Sequence, residues 1–96
     1  MEYDTAAIRR VARQIGRAAS EIRATATSDV SAVINGLSGH FEGEAADALH
    51  EELADLSSDL KRLASGLNSV EKELMDYAAR LEEADRQAAL FIRNNA

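Results

Sequence analysis

Two histidines, His40 and His50, are the only imidazole side chains of the chain, and cysteine is absent. Protein metal sites bring several such ligands together, for example as His-Glu-x-x-His on one face of a helix. The two histidines have no such motif around them. We therefore expect no metal site, and we interpret His40 as a turn residue and His50 as a solvated residue on a helix surface.

Acidic residues form three short clusters, and four serines lie in the second half of the chain. Acid–base catalysis needs a pocket that shifts the pKa of a carboxylate, and a nucleophilic serine needs a neighbouring base. A two-helix scaffold provides no such pocket, and the chain has no glycine-rich phosphate loop. We therefore predict that the protein is not an enzyme and binds no cofactor. The clusters are Glu51-Glu52, Glu71-Lys72-Glu73 and Glu82-Glu83-Ala84-Asp85, and the serines are Ser57, Ser58, Ser65 and Ser69.

The formal charge of −6 over 96 residues limits the classes of partner. Nucleic acids and anionic membranes are bound through clustered Lys and Arg, so neither is expected as a ligand. No apolar run approaches the roughly 20 residues that span a bilayer, and the acidic N-terminus lacks the apolar core of a signal peptide. We expect a soluble protein without stable membrane insertion, secreted, if at all, without a cleaved signal peptide.

Apolar residues recur every three or four positions along two proline-free stretches, which predicts an all-α chain. The first helix, at about 5–38, has Asp4 as a candidate N-cap and ends near Gly36 and Gly39. Its middle is rich in Thr, Ser and Asp, so we expect local fraying or a bend there without a break.

The second helix, at about 43–93, carries a seven-residue apolar repeat over six heptads. Such a repeat is typical of coiled-coil and bundle helices, and we interpret it as core. Its members are Leu49, Leu53, Leu56, Leu60, Leu63, Leu67, Val70, Leu74, Tyr77, Leu81, Ala84, Ala88 and Phe91.

A turn centred near Phe41 folds the two helices into an antiparallel hairpin, in which residue i faces roughly residue 82−i. In this register the apolar positions of the first helix face the apolar positions of the second along the whole hairpin. The same arithmetic sets Gly16 against Gly66, where we predict a close backbone approach. Surface ion pairs are expected between two arginines and two acids: Arg9 and Arg10 with Glu71 and Glu73.

The unequal helix lengths predict an extension, because the first helix runs out near residue 78 of the second. We interpret residues 1–96 as one hairpin domain, with 81–96 as a C-terminal extension that is flexible or bound by a partner. A two-helix hairpin also leaves apolar surface uncovered, so we expect two hairpins to pair into a four-helix bundle. The predicted partner interface comprises Leu74, Leu81, Ala88 and Phe91.

The turn carries an aromatic between glycines, Gly39-His40-Phe41-Glu42-Gly43. Phe41 either plugs the end of the hairpin or is displayed to a partner. Phe41-Glu42-Gly43 and the small residues after it resemble the Trp-x-Gly element and helix start of the WXG-type, ESAT-six-like proteins of type VII (ESX) secretion systems. Phenylalanine stands here in place of the tryptophan of that family.

The resemblance also implies a C-terminal export signal, a tyrosine followed four residues later by an acid. In this chain Leu81 precedes Asp85 at that distance, so leucine stands in place of tyrosine, while Tyr77 is followed by Leu81. The hinge motif is thus Phe41 and Gly43 with Gly39, and the candidate export residues are Leu81, Asp85 and Tyr77.

The resemblance implies a virulence-associated protein that is cytoplasmic before export and secreted without a cleaved signal peptide. It would act through protein contacts, either as a substrate or as a co-secreted targeting factor for a toxin. The implied partners are an identical copy or a related hairpin, the helical N-terminal region of a larger toxin, and the secretion ATPase. The alternative, from a different class, is a cytosolic coiled-coil adaptor unrelated to secretion.

Overall fold

A computed structural model describes residues 4–38 and 43–95. The first arm consists of α1 (Thr5–Ala24), a π-helical segment (Thr25–Asp29) and α2 (Val30–Ser38), which follow one another without a break. The second arm is a single helix, α3 (Glu44–Asn94). The predicted all-α hairpin is therefore confirmed, with helix bounds close to those expected from the sequence.

The first arm begins at the predicted cap and changes its winding in its polar middle. The Asp4 carboxylate accepts a hydrogen bond from the backbone N–H of Ala7 at 2.9 Å. In the π-helical segment, the Thr27 hydroxyl donates to the carbonyl oxygen of Arg23 at 2.9 Å. Hydroxyl side chains that bond to the preceding turn compete with the regular backbone ladder. The arm accordingly widens at the predicted weak point and stays continuous.

The second arm is one helix of 51 residues, which is about 77 Å long at about 1.5 Å per residue. Glu44 and Asp47 lie in its first turn and Arg93 in its last, where each charge complements the helix dipole. At the C-terminal end, the Asn95 side-chain amide donates to the carbonyl oxygen of Phe91 at 2.8 Å. These local contacts and the absence of proline allow α3 to run without interruption.

Small residues make the contact between the two arms. Fully buried positions are alanines, with Ala12 and Ala19 on α1 and Ala64 and Ala78 on α3 each 0% exposed. No large side chain is fully buried among the described residues. Because alanine projects little beyond the backbone, these columns let the helices pack close together.

The antiparallel register matches the prediction to within about one residue. The Ser57 hydroxyl donates to the carbonyl oxygen of Ala26 at 3.0 Å, which sets residue i against about residue 83−i. The buried Ala19 and Ala64 lie seven residues further along each helix, in the same register.

The predicted approach of Gly16 to Gly66 is wrong. A Cβ atom on Gly16 would lie 2.2 Å from a carboxylate oxygen of Glu71, whereas a Cβ on Gly66 would meet nothing within 4 Å. Gly66 lies two positions after the buried Ala64, which is about 200° around the helix, so it is exposed on the side of α3 away from the first arm. Gly16 instead leaves room for the Glu71 side chain that lies over it.

The expected ion pairs of Arg9 and Arg10 are also wrong. Arg9 forms its salt bridge with Glu82. Helical side chains lean toward the N-terminus of their own helix. In an antiparallel pair, Arg9 therefore leans away from the turn and Glu82 leans toward it, so that they meet, while the Glu71 side chain leans away from Arg9.

Candidate partner-binding face

One edge of the leucine repeat on α3 is open to solvent. Its residues recur every seven positions and are between 37% and 51% exposed. We call them the exposed column: Leu49, Leu56, Leu63, Val70 and Tyr77. The interpretation of the whole repeat as core is therefore wrong for the hairpin itself, because the alanine columns occupy the seam between the arms.

A second set of leucines, one column closer to α1, is half-buried. Alongside it, α1 contributes a half-buried isoleucine column, also at seven-residue spacing. Together with the exposed column they form one continuous surface, which we call the apolar face. The half-buried members are Leu53, Leu60, Leu67, Leu74 and Leu81 on α3, and Ile8, Ile15 and Ile22 on α1.

The opposite face of the hairpin is polar. There Glu82 accepts hydrogen bonds from Arg9 and Thr5, the latter at 3.1 Å. The bond from Arg9, and then that from Thr5, holds the pKa of Glu82 below its ordinary value. Arg9 and Thr5 thus join the start of α1 to α3 at Glu82.

A shallow groove on this polar face includes Arg13, Arg17 and Glu71 among its lining residues. It presents charges of both signs and lies open to solvent. Within residues 4–38 and 43–95, no three histidine or acidic side chains converge to hold a metal ion.

The C-terminal part of α3 extends beyond the first arm. The Thr5 to Glu82 contact marks the level at which α1 begins, so residues 83–94 continue for about 18 Å past it. Phe91 and Ile92 are 68% and 67% exposed on this extension. Arg86 pairs locally with Glu83 at 2.7 Å and so strengthens the helix there without joining it to the first arm.

The predicted interface and export residues lie on this half of α3. Leu81 is half-buried at the level of the start of α1, whereas Ala88 and Asp85 are exposed. Tyr77, Leu81 and Asp85 follow one another at intervals of four residues, which places them along one side of the helix. Leu74 is half-buried and belongs to the apolar face.

Part of the hinge motif can be placed and part cannot. Gly43 is the residue before α3 and has φ +93° and ψ −165°, a conformation essentially restricted to glycine. Phe41 and Gly39, like His40, lie outside the described residues. Their predicted roles therefore remain predictions.

Sequence reasoning missed three residues of this arrangement. Glu82 belongs to one of the acidic clusters, for which the sequence predicts no partner on the first helix, although the direction in which helical side chains lean matches it to Arg9. Glu71 and Gly16 form a second missed contact. The sequence indicates this contact through the position of Glu71, which lies seven residues from both Ala64 and Ala78, the buried residues of α3 that face the first arm.

No helix within the described ranges combines the length and apolarity needed to cross a bilayer. Searches among curated proteins and among solved structures found no match. A family model, WXG100, described as proteins of 100 residues with WXG, matches residues 1–86. The match covers the first arm, the turn and the second arm as far as residue 86. Proteins of this family typically form dimers with helical partners and are not known as enzymes. The chain therefore belongs to the WXG100 family of small helical proteins associated with type VII secretion.

Proposed function

We propose that the protein is a substrate or co-secreted targeting factor of a type VII secretion system, and that it acts as one half of a paired helical unit. The observation that carries this proposal is the exposed column on α3, whose five large side chains remain 37–51% exposed in the single hairpin. Its function is protein recognition, without catalysis or a cofactor.

The apolar face supports pairing because a single hairpin cannot cover it. Full burial of a leucine-sized side chain contributes about 1.5–3 kcal/mol. Roughly half of that remains available at each member of the exposed column. Packing a second helical hairpin on this face would form a four-helix bundle and cover both apolar columns of α3.

Pairing also explains how two distant elements act together in export. Gly43 and Leu81 lie at the two ends of the hairpin, about 57 Å apart along α3. A partner packed antiparallel places its own turn beside the extension of this chain. The Phe41-Glu42-Gly43 element of one subunit and the Leu81 to Asp85 segment of the other then form a composite surface for the export ATPase.

Export assays on point variants test this proposal. Phe41→Ala and Asp85→Ala should each abolish export while far-UV circular dichroism shows unchanged helical content. Asp76→Ala is the matched control, because it removes an exposed acid from the same helix outside the proposed signal. We expect its export to equal that of the wild type.

Undiminished export of both signal variants would refute the role in secretion. Continued association through the apolar face, with no export of the wild-type protein in a host that has the secretion system, would instead indicate a cytosolic coiled-coil adaptor.

A further inference from the structure

The first arm repeats its pattern of burial every seven residues, but one interval in each column is eight residues long. Ala19 and Ala26 are buried seven residues apart, and the next residue of that column is the half-buried Ile34, eight residues further on. In the neighbouring column the half-buried Ile22 is followed, also after eight residues, by the buried Val30. The first arm therefore contains one extra residue between positions 26 and 30, where the two long intervals overlap.

The π-helical segment, Thr25–Asp29, lies where this extra residue is expected. At its end the backbone N–H of Val30 donates to the carbonyl oxygen of Thr25, five residues earlier. A turn closed by such a bond holds one residue more than an α-helical turn. The second arm has no extra residue to accommodate, because its exposed column keeps the seven-residue spacing from Leu49 to Tyr77.

A regular α-helix through this stretch would turn the wrong side chains toward the second arm. Seven-residue spacing from Ile22 leads to Asp29 and then to Gly36, at the places that Val30 and Leu37 occupy. One residue corresponds to about 100° of rotation, so every later side chain would change direction. The π-helical segment keeps Asp29 exposed and lets the apolar columns of the first arm continue into α2.

Val33 is placed beside the apolar face by the same turn. It lies fifteen residues after Ala18, which is two repeats and the extra residue, in the column to which Val11 also belongs. Val11 and Val33 are 47% and 50% exposed. Without the extra residue in a π-helical turn, Ala32 would occupy this column in place of Val33. The outer apolar column of the first arm thus extends toward the turn of the hairpin because of this segment.

Two hydroxyl groups hold the π-helical segment. The Ser57 hydroxyl of α3 donates to the carbonyl oxygen of Ala26 at 3.0 Å in a partly buried position. The Thr27 hydroxyl donates to the carbonyl oxygen of Arg23 at 2.9 Å. Ser57 is the contact that comes from the second arm, so it fixes the segment at one level of the hairpin.

We propose that the π-helical segment, positioned by Ser57, corrects the phase of α2 and so presents Val33 to an apolar helix of the partner hairpin. The inference rests on the proposed function, in which the apolar face binds a helical hairpin. It adds a part of the first arm, close to the turn, to the surface that the partner covers. Ser57 acts as a positioning residue, and Val33 makes the contact.

Changes of length by one residue test the phase, with opposite expected results. Removal of Ser28 takes out the extra residue, so the first arm can continue as a regular α-helix with the same side chains facing α3. We expect a higher urea midpoint, slower hydrogen exchange of the backbone amides between residues 25 and 30, and export equal to that of the wild type. An alanine inserted after Ser28 adds a second extra residue and should lower the urea midpoint and abolish export. Equal effects of the two changes would overturn the proposal.

Ser57→Ala tests the positioning role. Hydrogen exchange of the backbone amides between residues 25 and 30 should become faster, and Ser58→Ala is the matched control because Ser58 is the exposed neighbouring serine. In the chain that lacks Ser28, Ser57→Ala should have a smaller effect, since no π-helical turn remains to be held. An equally large effect in both chains would show that Ser57 only stabilises the packing of the arms.

Val33→Asp tests the contact with the partner. A charge buried without a counter-charge is costly, so we expect export to fall about tenfold or more, with the urea midpoint close to that of Ala32→Asp. Ala32→Asp is the matched control, because it adds the same charge at the exposed neighbouring position, and its export should equal that of the wild type. A much lower urea midpoint for Val33→Asp than for Ala32→Asp would show that Val33 supports the hairpin itself, which would overturn the proposed contact.

The outcomes separate this inference from the proposed function. If Phe41→Ala and Asp85→Ala abolish export while Val33→Asp does not, the contact of Val33 is overturned and the proposed function stands. If export is undiminished in Phe41→Ala and Asp85→Ala, the proposed function fails. The role of the π-helical segment in the phase of α2 is still decided in that case, by the urea midpoints and hydrogen exchange of the two length variants.

Discussion

Truncation of Leu63 to alanine separates partner binding from the stability of the hairpin. Leu63 is 51% exposed in the single chain, the largest exposure in the exposed column. Alanine is also the strongest helix former, so α3 should not lose helical content. The substitution therefore removes apolar surface that a partner would cover while it leaves the seam between the arms intact.

The size of the effect follows from the exposed fraction. Full burial of a leucine contributes about 1.5–3 kcal/mol, and about half of this remains for the partner, roughly 0.8–1.5 kcal/mol. In a dimer of identical copies the loss occurs twice, so it amounts to about 1.5–3 kcal/mol. Since about 1.4 kcal/mol is a factor of ten in Kd, we expect self-association to weaken about ten- to a hundredfold.

Analytical ultracentrifugation over a range of concentrations gives the Kd of each variant, with circular dichroism as the check on helical content. Lys72→Ala is the control, because Lys72 is exposed on the opposite side of α3. An unchanged Kd for Leu63→Ala would show that the apolar face is not the contact surface. A loss of helical content would show that Leu63 supports the hairpin itself.

Two further predictions concern the ends of the hairpin. Gly43→Ala should destabilise the protein by about 1–3 kcal/mol, since Gly43 has φ +93° and ψ −165°. Gly36→Ala should instead stabilise it by about 0.5–1 kcal/mol. Equal changes in the free energy of unfolding, measured in urea, would contradict this difference. The hydrogen bond from Arg9 is the main cause of the lowered pKa of Glu82. The contact between Glu82 and Arg9 therefore stabilises the folded protein fully above the ordinary carboxyl pKa of 4.5, and this stabilisation is lost as the pH falls through the lowered pKa of the folded state. Glu82→Gln should therefore lose less stability than the wild type between about pH 6 and about pH 3, and identical losses would show that this contact does not contribute.

The hairpin could be predicted from the sequence because several local signals agree. Asp4 caps the first arm, no proline interrupts either arm, and the apolar repeat of α3 has a single phase. With one turn between two helices, the register follows from counting, which is why it was correct to within about one residue. Agreement among independent local signals is what allows a sequence to specify one structure.

The side of the apolar stripe of α3 that packs against the first arm could not be predicted in the same way. A heptad pattern identifies a stripe about half a helix wide, but it does not say which edge faces the other arm. Here the edge with small residues does so, because Ala64 and Ala78 meet the alanine column of α1. The pairing of Arg9 with Glu82 was missed because counting positions ignores the direction in which long side chains lean.

Alanines fill the contact between the two arms, while leucines remain on the outside, so the stability of the hairpin depends in part on association. Removing apolar surface from water is the main driving force of folding, and fully buried alanines contribute little of it. The side chains that could contribute most, such as Leu56 and Leu63, keep 46% and 51% of their surface exposed until a partner arrives. A partner that binds only the folded hairpin stabilises it by mass action. The stability of the protein should therefore rise with its own concentration if the partner is a second copy, and should depend on the concentration of another hairpin if it is not.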